Sequence, residues 1–418
     1  MVNAVIRGGH IMPRRITRRS FLGHCAVAAP LILASGTLAQ AGRPGPNDRV
    51  NVAYIGIGRR AKQLKELPPD AQVVALADVN RARFDEFAPG NTWKHYSDYR
   101  ELLADSGIDA VIVASPDHWH ALHTVHACQA GKDVYVEKPA SLTVHEGRAM
   151  LDAARQNKRI VQVGCQQRSM PETRESVNLV QTGRIGKVHT VHGANYPSPW
   201  ECVLPEQPVP DGIDWDFWLG QTFYHPFNMD IYIPRAKPGW ISFRPWSGGE
   251  MTGWGAHGLD VIQWTLGTEL SGPTEVWPEE GDILTRPVTF RYPNGVVVKL
   301  DGKGPGGGAL FEGDEGQMIV DRARYEILPN GPKVPEDKKG GPDRTAEHIK
   351  NWIDCIRSRQ IPIGDIELGH RAASMCHLGN IARWTGRKLT WDPDKEIFPD
   401  DPEANKYLQR PMRDPWKL

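Results

Sequence analysis

The sequence predicts a doubly wound α/β domain with a parallel sheet, followed by a loop-rich second half. Three observations carry this. Short apolar runs alternate with helical patterns from Val50 to Val163. The first run ends in the glycine turn Gly56-Ile57-Gly58, and the second ends in Asp78. Most of the 42 Gly and 34 Pro residues fall after Pro197. Strand–helix alternation is the mark of a parallel sheet covered by helices on both faces.

Val50-Asn-Val-Ala-Tyr-Ile55 is an apolar run with polar borders, so it reads as a buried strand. The glycine turn follows at once, and a helical pattern from Lys62 to Leu67 follows the turn. This is the strand–turn–helix context of a dinucleotide cradle. Gly56 permits the tight turn, and Gly58 has no Cβ to keep a pyrophosphate from the backbone. Ala61 stands at the third glycine position, where a small residue suffices. The backbone around Ile57 and Arg59 belongs to the same cradle. Gln72 to Ala77 reads as the next strand, and Asp78 lies about 20 residues beyond Gly58. An acid there accepts hydrogen bonds from the adenosine ribose and repels a 2′-phosphate, so NAD is expected over NADP. Arg81 is placed to soften that preference.

Further strands are expected at Ala110–Ala114, Asp133–Val136 and Arg159–Val163, and helices at His120–Gly131 and Val144–Gln156. Ligands of such sheets bind beyond the C-terminal strand ends. Polar clusters stand there: Ser115-Pro116-Asp-His118, Glu137-Lys138-Pro139 and Gly164-Cys-Gln166-Gln-Arg168. Arg168 suits the cleft or the surface equally well. His118, His120, His123 and His126 are dense, yet they lack accompanying acids at metal-ligand spacing, so no metal site is assigned.

Composition narrows the partners. Lys plus Arg and Asp plus Glu number 50 each in 418 residues, and that balance points away from nucleic acid. The 14 Trp residues suit core packing, and they also suit a cleft where sugar rings stack on flat side chains. The six cysteines match no zinc spacing and read as buried free thiols; an oxidising compartment would leave room for one disulfide. Thr17-Arg18-Arg19-Ser20-Phe21-Leu22, the apolar stretch Ala26–Leu33 and Ala39-Gln40-Ala41 together read as a twin-arginine export signal over residues 1–41. That apolar stretch is too short for a stable membrane anchor. Residues 42–48 read as a linker. A periplasmic or otherwise exported protein is expected, with the twin-arginine machinery as a partner.

The motifs resemble the glucose–fructose oxidoreductase/inositol dehydrogenase (Gfo/Idh/MocA) family. The matching pieces are the glycine turn, Ser115-Pro-Asp-His-Trp-His120, Glu137-Lys138-Pro139, Gly248-Gly249 and Gly255-Ala-His257-Gly-Leu-Asp260, with His348 to Trp391 also similar. The resemblance runs from Arg49 to Trp391. It implies a Rossmann domain over residues 49–168 and an α/β domain over 169–391 built on a large, open-faced, mostly antiparallel sheet. It also implies homo-oligomers, dimeric or tetrameric, that pair through that sheet. Hydride transfer with a sugar, cyclitol or related carbohydrate is the implied activity. Lys138 then stabilises charge on the reacting oxygen, His257 acts as general base, and Glu137 orients Lys138 or the cofactor. Contacts to the cofactor are expected from Ser115, Pro116, His118, His120, Glu137, Lys138 and Gln166. The chain departs from the family at Gly253, where an Asp usually precedes the histidine by four residues. That departure leaves room for a second activity, glycoside hydrolysis or elimination through transient oxidation with bound NAD. A non-catalytic sugar sensor is a third reading.

In the second half, Lys187–Asn195 reads as a strand and Asp214–Leu219 as an aromatic turn and helix. Thr285–Tyr292 and Val296–Asp301 read as a hairpin around Pro293-Asn-Gly295. Gly302–Gly308 reads as a flexible loop, since it lacks the Lys-Ser/Thr end of a phosphate loop. Helices are expected over Glu347–Arg357 and Leu368–Trp384. Tyr196–Trp200 and Tyr232–Trp246 are candidate sugar-facing loops, or plain packing. Residues 392–418 read as a charged tail that wraps the surface or a neighbouring subunit.

Overall fold

The computed structural model describes residues 48–233, 238–329 and 344–418. The expected export signal over residues 1–41 lies outside the described residues, as does nearly all of the expected linker. Residues 50–418 form one compact unit. No described helix is long and apolar enough to cross a membrane.

The first layer is a six-stranded sheet. Its strands are Val50–Ile55 (β1), Ala71–Ala77 (β2), Lys94–Tyr96 (β3), Ala110–Val113 (β4), Asp133–Val136 (β5) and Val161–Val163 (β6). They pair in the order β3-β2-β1-β4-β5-β6, every pair parallel. The apolar runs are strands because both faces are covered, so β1, β4 and β5 are buried along nearly their whole length. Helices Arg59–Gln63 (α1), Ala82–Phe87 (α2), Tyr99–Ala104 (α3), His120–Gln129 (α4) and Val144–Gln156 (α5) connect the strands. The first helix begins and ends earlier than the pattern at Lys62–Leu67 predicts. The Tyr54 hydroxyl donates to the Leu64 carbonyl at 2.8 Å, taking the acceptor that another turn would use. β3 was not expected, because its short Lys-His-Tyr run is largely exposed and has no apolar signature.

Pro171–Gln181 (α6) leads into the second layer. Val188–Gly193 (β7) is followed by the short helices Trp215–Leu219 (α7), Met229–Tyr232 (α8) and Glu250–Gly253 (α9), then Gly255–Thr265 (α10). Strands Glu275–Pro278 (β8), Val288–Arg291 (β9), Val297–Leu300 (β10), Gly308–Gly313 (β11), Gly316–Asp321 (β12) and Arg324–Leu328 (β13) precede Thr345–Ser358 (α11) and Ile366–Thr385 (α12). Leu389–Thr390 (β14) and Pro402–Asn405 (α13) follow. The eight strands run in the order β13-β12-β11-β7-β10-β9-β8-β14. Only β7 and β10 pair in parallel, so the sheet is mostly antiparallel. The expected hairpin is present, with Val297 opposite Arg291.

One sheet face buries Val191, Phe290, Val298, Phe311 and Val320 in a core shared with α10 and α12. The other face carries Thr190, Lys299, Glu312 and Gln317, following the two-residue period of a half-covered sheet. The division near residue 168 separates the sheets but not the cores. Ile349, Trp352 and Ile353 of α11 pack on one side of the parallel sheet, and Ile366 and Ala373 of α12 pack on the other. The tail does not simply wrap the surface. Phe398, Ala404 and Leu408 enter the second core and Trp416 enters the first.

Candidate functional site

A cleft of about 360 Å3 opens beyond the C-terminal ends of β1, β4 and β5. Gly58, Arg59, Ser115 and Pro116 form its first end. Lys138, Gly253, Trp254 and His257 line it further along, with Glu137, His120 and Gln166 also on its wall. A smaller hollow continues from it, lined by Gly56, Asp78, Tyr99, Trp119, Phe217 and Trp218. Arg83, Ser115 and Pro116 border both.

The glycine turn is set by backbone sterics. Gly56 has φ +81°, and a Cβ there would stand 2.7 Å from the Ser115 backbone. Any other residue would face both a left-handed conformation and a collision. A Cβ on Gly58 would approach Arg83 Nη1 to 3.0 Å on the cleft wall. Asp78 ties the turn to β2. One of its oxygens accepts the Ile57 amide at 2.9 Å and the other accepts the Asn80 amide at 2.8 Å. Ile57 is therefore buried, and its N–H serves the acid rather than the cleft. The arginine beside Asp78 is Arg83, at 3.5 Å, and not Arg81, which is exposed. Arg83 also lies over the Tyr232 ring, 5.0 Å from its centroid. A turn that only glycine can make, with an acid at the next strand end, fits a dinucleotide with an unphosphorylated ribose.

Glu137 is buried and pairs with Arg60 at 2.7 Å, and its other oxygen accepts the Lys138 amide at 3.2 Å. A Cβ on Gly164 would stand 2.8 Å from the Glu137 carboxylate, so the bare backbone there makes room for it. Lys138 Nζ donates to the Gly253 carbonyl at 3.0 Å. The position that lacks the expected acid thus still holds the lysine, through its backbone. His257 is 6% exposed at the start of α10, with its ring 5.9 Å from that of Trp254.

The histidines separate into different roles. His118 does not reach the cleft. It is fully buried, and its Nε2 lies 2.9 Å from the Trp218 carbonyl. Burial pushes its imidazole down to about 3, only partly offset by that carbonyl. Trp119 Nε1 donates to the same carbonyl at 2.9 Å, so the motif docks α7 against the cofactor layer. The His120 ring nitrogens lie 2.7 Å from the Pro139 carbonyl and 2.9 Å from that of Ser115, joining two motifs. His123 stacks on Trp119, and His126 meets the Tyr99 hydroxyl at 2.7 Å. Among the described residues, no three His, Cys, Asp or Glu side chains converge as metal ligands.

Arg168 belongs to neither cleft nor surface. It is buried, forks onto Asp260 at 2.7 and 3.0 Å, and meets Glu269 at 2.9 Å. Burial works against its charge, but the two carboxylates outweigh burial and raise its proton affinity. Asp260 thereby fixes α10, the helix that carries His257. The Gly302–Gly308 loop is not a flexible segment. A Cβ on Gly304 would stand 1.9 Å from the His192 carbonyl oxygen. Tyr196 Oη donates to Gly306 at 2.9 Å and Gln167 Nε2 to Gly307 at 2.7 Å. Of the candidate sugar loops, Tyr232 and Trp240 reach the cleft, while Tyr196 and Trp246 are buried. Cys128, Cys165, Cys202, Cys355 and Cys376 are free thiols.

A family profile described as "Oxidoreductase family, NAD-binding Rossmann fold" matches residues 50–165. A second, "Oxidoreductase family, C-terminal alpha/beta domain", matches residues 177–418. The chain belongs to the Gfo/Idh/MocA oxidoreductase family. It is 27% identical to scyllo-inositol 2-dehydrogenase (NAD(+)) of Bacillus subtilis over 58% of this chain and 60% of that protein. It is 26% identical to levoglucosan dehydrogenase of Pseudarthrobacter phenanthrenivorans over 56% of this chain and 60% of that protein. The chain thus spans about three fifths of the length of these relatives. Among solved structures, levoglucosan dehydrogenase in complex with NADH and levoglucosan superposes with a TM-score of 0.59 at 16% identity. That match covers 82% of this chain and 99% of the other. Aldose-aldose oxidoreductase from Caulobacter crescentus superposes equally well, at 0.59 and 18% identity, over 82% and 99%.

Cleft residues that sequence reasoning missed include Arg60, Arg83, Trp218, Trp254 and Arg322. Arg60 had a signal, because it follows the glycine turn. Arg322 had none, since the hairpin that carries it was not foreseen.

Proposed function

We propose that the chain is an exported, NAD-dependent oxidoreductase acting on a secondary alcohol or carbonyl of a sugar or cyclitol. The observation that carries the reading is the meeting of Lys138 and His257 in the cleft that begins at Gly58. When bound, NAD supplies a hydride acceptor or donor there. Gly56, Gly58 and Arg59 hold its phosphates, and Asp78 its adenosine ribose. Lys138, anchored on the Gly253 carbonyl, donates to the reacting oxygen and stabilises negative charge on it. His257 takes the proton from that oxygen.

NAD stays bound through turnover in this reading. The adenosine hollow is walled by Tyr99 and Trp119 from the first layer and by Phe217 and Trp218 from the second. Trp416 of the tail packs on Trp119 and Phe217, with ring centroids at 5.0 and 5.5 Å. Export follows from the twin-arginine signal over residues 1–41, and subunits pair through the polar sheet face. Mass spectrometry of denatured purified protein tests the cofactor reading and should release NAD. Protein that emerges without nucleotide, and gains activity only on added NAD, contradicts a retained cofactor.

Gly253 favours one other reading, a glycoside hydrolase or lyase that oxidises its substrate transiently. The site has no side chain at 253 to polarise His257. Product release without net NAD reduction would select the lyase over the dehydrogenase.

A further inference from the structure

One cation in the cleft has no part in the chemistry above. Arg322 occupies the two-residue turn between β12 and β13 and lines the cleft. Its guanidinium carbon lies 5.4 Å from the centroid of the Trp254 ring. Trp254 is 39% exposed, and its ring also lies 5.9 Å from that of His257. Among the described residues, no carboxylate forms an ion pair with Arg322. Among the described residues, the other cations of the cleft are engaged or lie elsewhere. Arg60 pairs with Glu137, Arg83 with Asp78, and Lys138 meets the Gly253 carbonyl. Arg59 flanks the glycine turn at the opposite end.

The local structure is unfavourable to an arginine, yet is shaped around this one. Arg322 has φ +50°, a conformation that two-residue hairpin turns reserve for Gly or Asn. The neighbouring loop is bare beside it, since a Cβ on Gly307 would stand 2.5 Å from Arg322 Cγ. Thr173 Oγ1 donates to the Arg322 carbonyl at 2.7 Å and fixes the turn. Strained backbone that is held from several sides clusters at ligand sites.

The cleft is also uneven in charge. Among the described residues, its lining carboxylates, Asp117 and Glu137, both come from the cofactor layer. Asp117 accepts from Ser247 Oγ at 2.7 Å, and Glu137 is paired. The substrate end presents Lys138 and Arg322, with a backbone carbonyl in place of an acid at 253.

Resting on the reading of this cleft as a sugar oxidoreductase site, we propose that Arg322 is a specificity residue that binds a carboxylate on the substrate. The substrate class is then a sugar acid, a uronate or aldonate, rather than a neutral sugar. A guanidinium can grip a carboxylate through two parallel N–H bonds. Trp254, partly exposed, lines the cleft beside Arg322.

Calorimetry on the nucleotide-bearing protein tests this with matched pairs: glucuronate against glucose, galacturonate against galactose, gluconate against glucitol, and glucose 6-phosphate as a separate arm. At least one acid should bind tenfold or more tighter than its neutral partner. In R322Q that preference should vanish, and in R322K it should return in part, with bound NAD retained in both. In turnover, the loss should fall on KM for the acid rather than on kcat. Equal affinity for acids and neutral sugars, with neutral sugars turned over, overturns the proposal and leaves the oxidoreductase reading standing. A preference for glucose 6-phosphate alone that R322Q abolishes overturns the carboxylate. No binding and no turnover of any probe removes the oxidoreductase reading and this inference together.

Discussion

Lys138 shows how one side chain is committed by its neighbours. Its ammonium is anchored on a carbonyl of α9, while its own amide leans on the Glu137 carboxylate. Removing the charge should cost transition-state stabilisation more than binding. Lys138→Ala should lower kcat/KM by about 10²- to 10³-fold, in the range measured when one preorganised donor is lost. Nucleotide content should stay at the native level, because the glycine turn and Asp78 are untouched. Steady-state kinetics with mass spectrometry of the variant separates the two effects. Undiminished turnover would show that Lys138 does not stabilise charge on the reacting oxygen.

Helix α10 shows what a pattern in the sequence reveals and what it hides. Gly255-Ala-His257-Gly-Leu-Asp260 was legible as a motif, but the part Asp260 plays in it was not. Its partner was hidden, because Arg168 stands 92 positions away and joins it only through the fold. The parallel sheet was legible for a similar reason: buried strands are continuous apolar runs that can be read locally. β8, β11, β12, β13 and β14 were not, because half-buried strands broken by glycine and polar residues gain their pattern from neighbours across the sheet. With β12 and β13 went Arg322. The Arg168–Asp260 pair carries a prediction at this scale. Arg168→Leu leaves Asp260 buried without its cation and should destabilise the fold by about 3–5 kcal/mol. Arg168→Leu with Asp260→Leu should recover much of that loss. Urea unfolding of the three proteins measures it; a double variant as unstable as the single one would refute the pairing argument.

At the scale of the whole molecule, the two layers are locked by buried neutral histidines, and this sets how stability depends on pH. Burial holds His118 and His377 down to about 3 and His348 to about 4, partly offset in each case by a carbonyl. Each sits where elements meet: His118 against α7, His348 between α11 and the end of β6, and His377 of α12 against the Ser141 backbone. An unfolded histidine titrates near 6.5. Between that value and the folded value the unfolded chain binds more protons, so acid favours unfolding. Stability should therefore be flat above about pH 6.5 and fall steadily as pH drops toward 4. Glu396 adds to the loss only at lower pH. Burial resists its charge, but His370 and Arg148 outweigh burial and bring it down to about 2, so its contribution is present above the usual carboxylate range and fades below it. His348→Gln should flatten the upper part of the curve, because it removes one proton-binding site from the unfolded chain. It should also lower stability at pH 8, because the bonds to Ser169 and the Val163 carbonyl are disturbed. Urea midpoints at half-unit steps from pH 8 to pH 4 give the profile for both proteins. A native curve that rises on acidification would mean that these histidines gain protons in the folded state, which their enclosure between the two layers opposes.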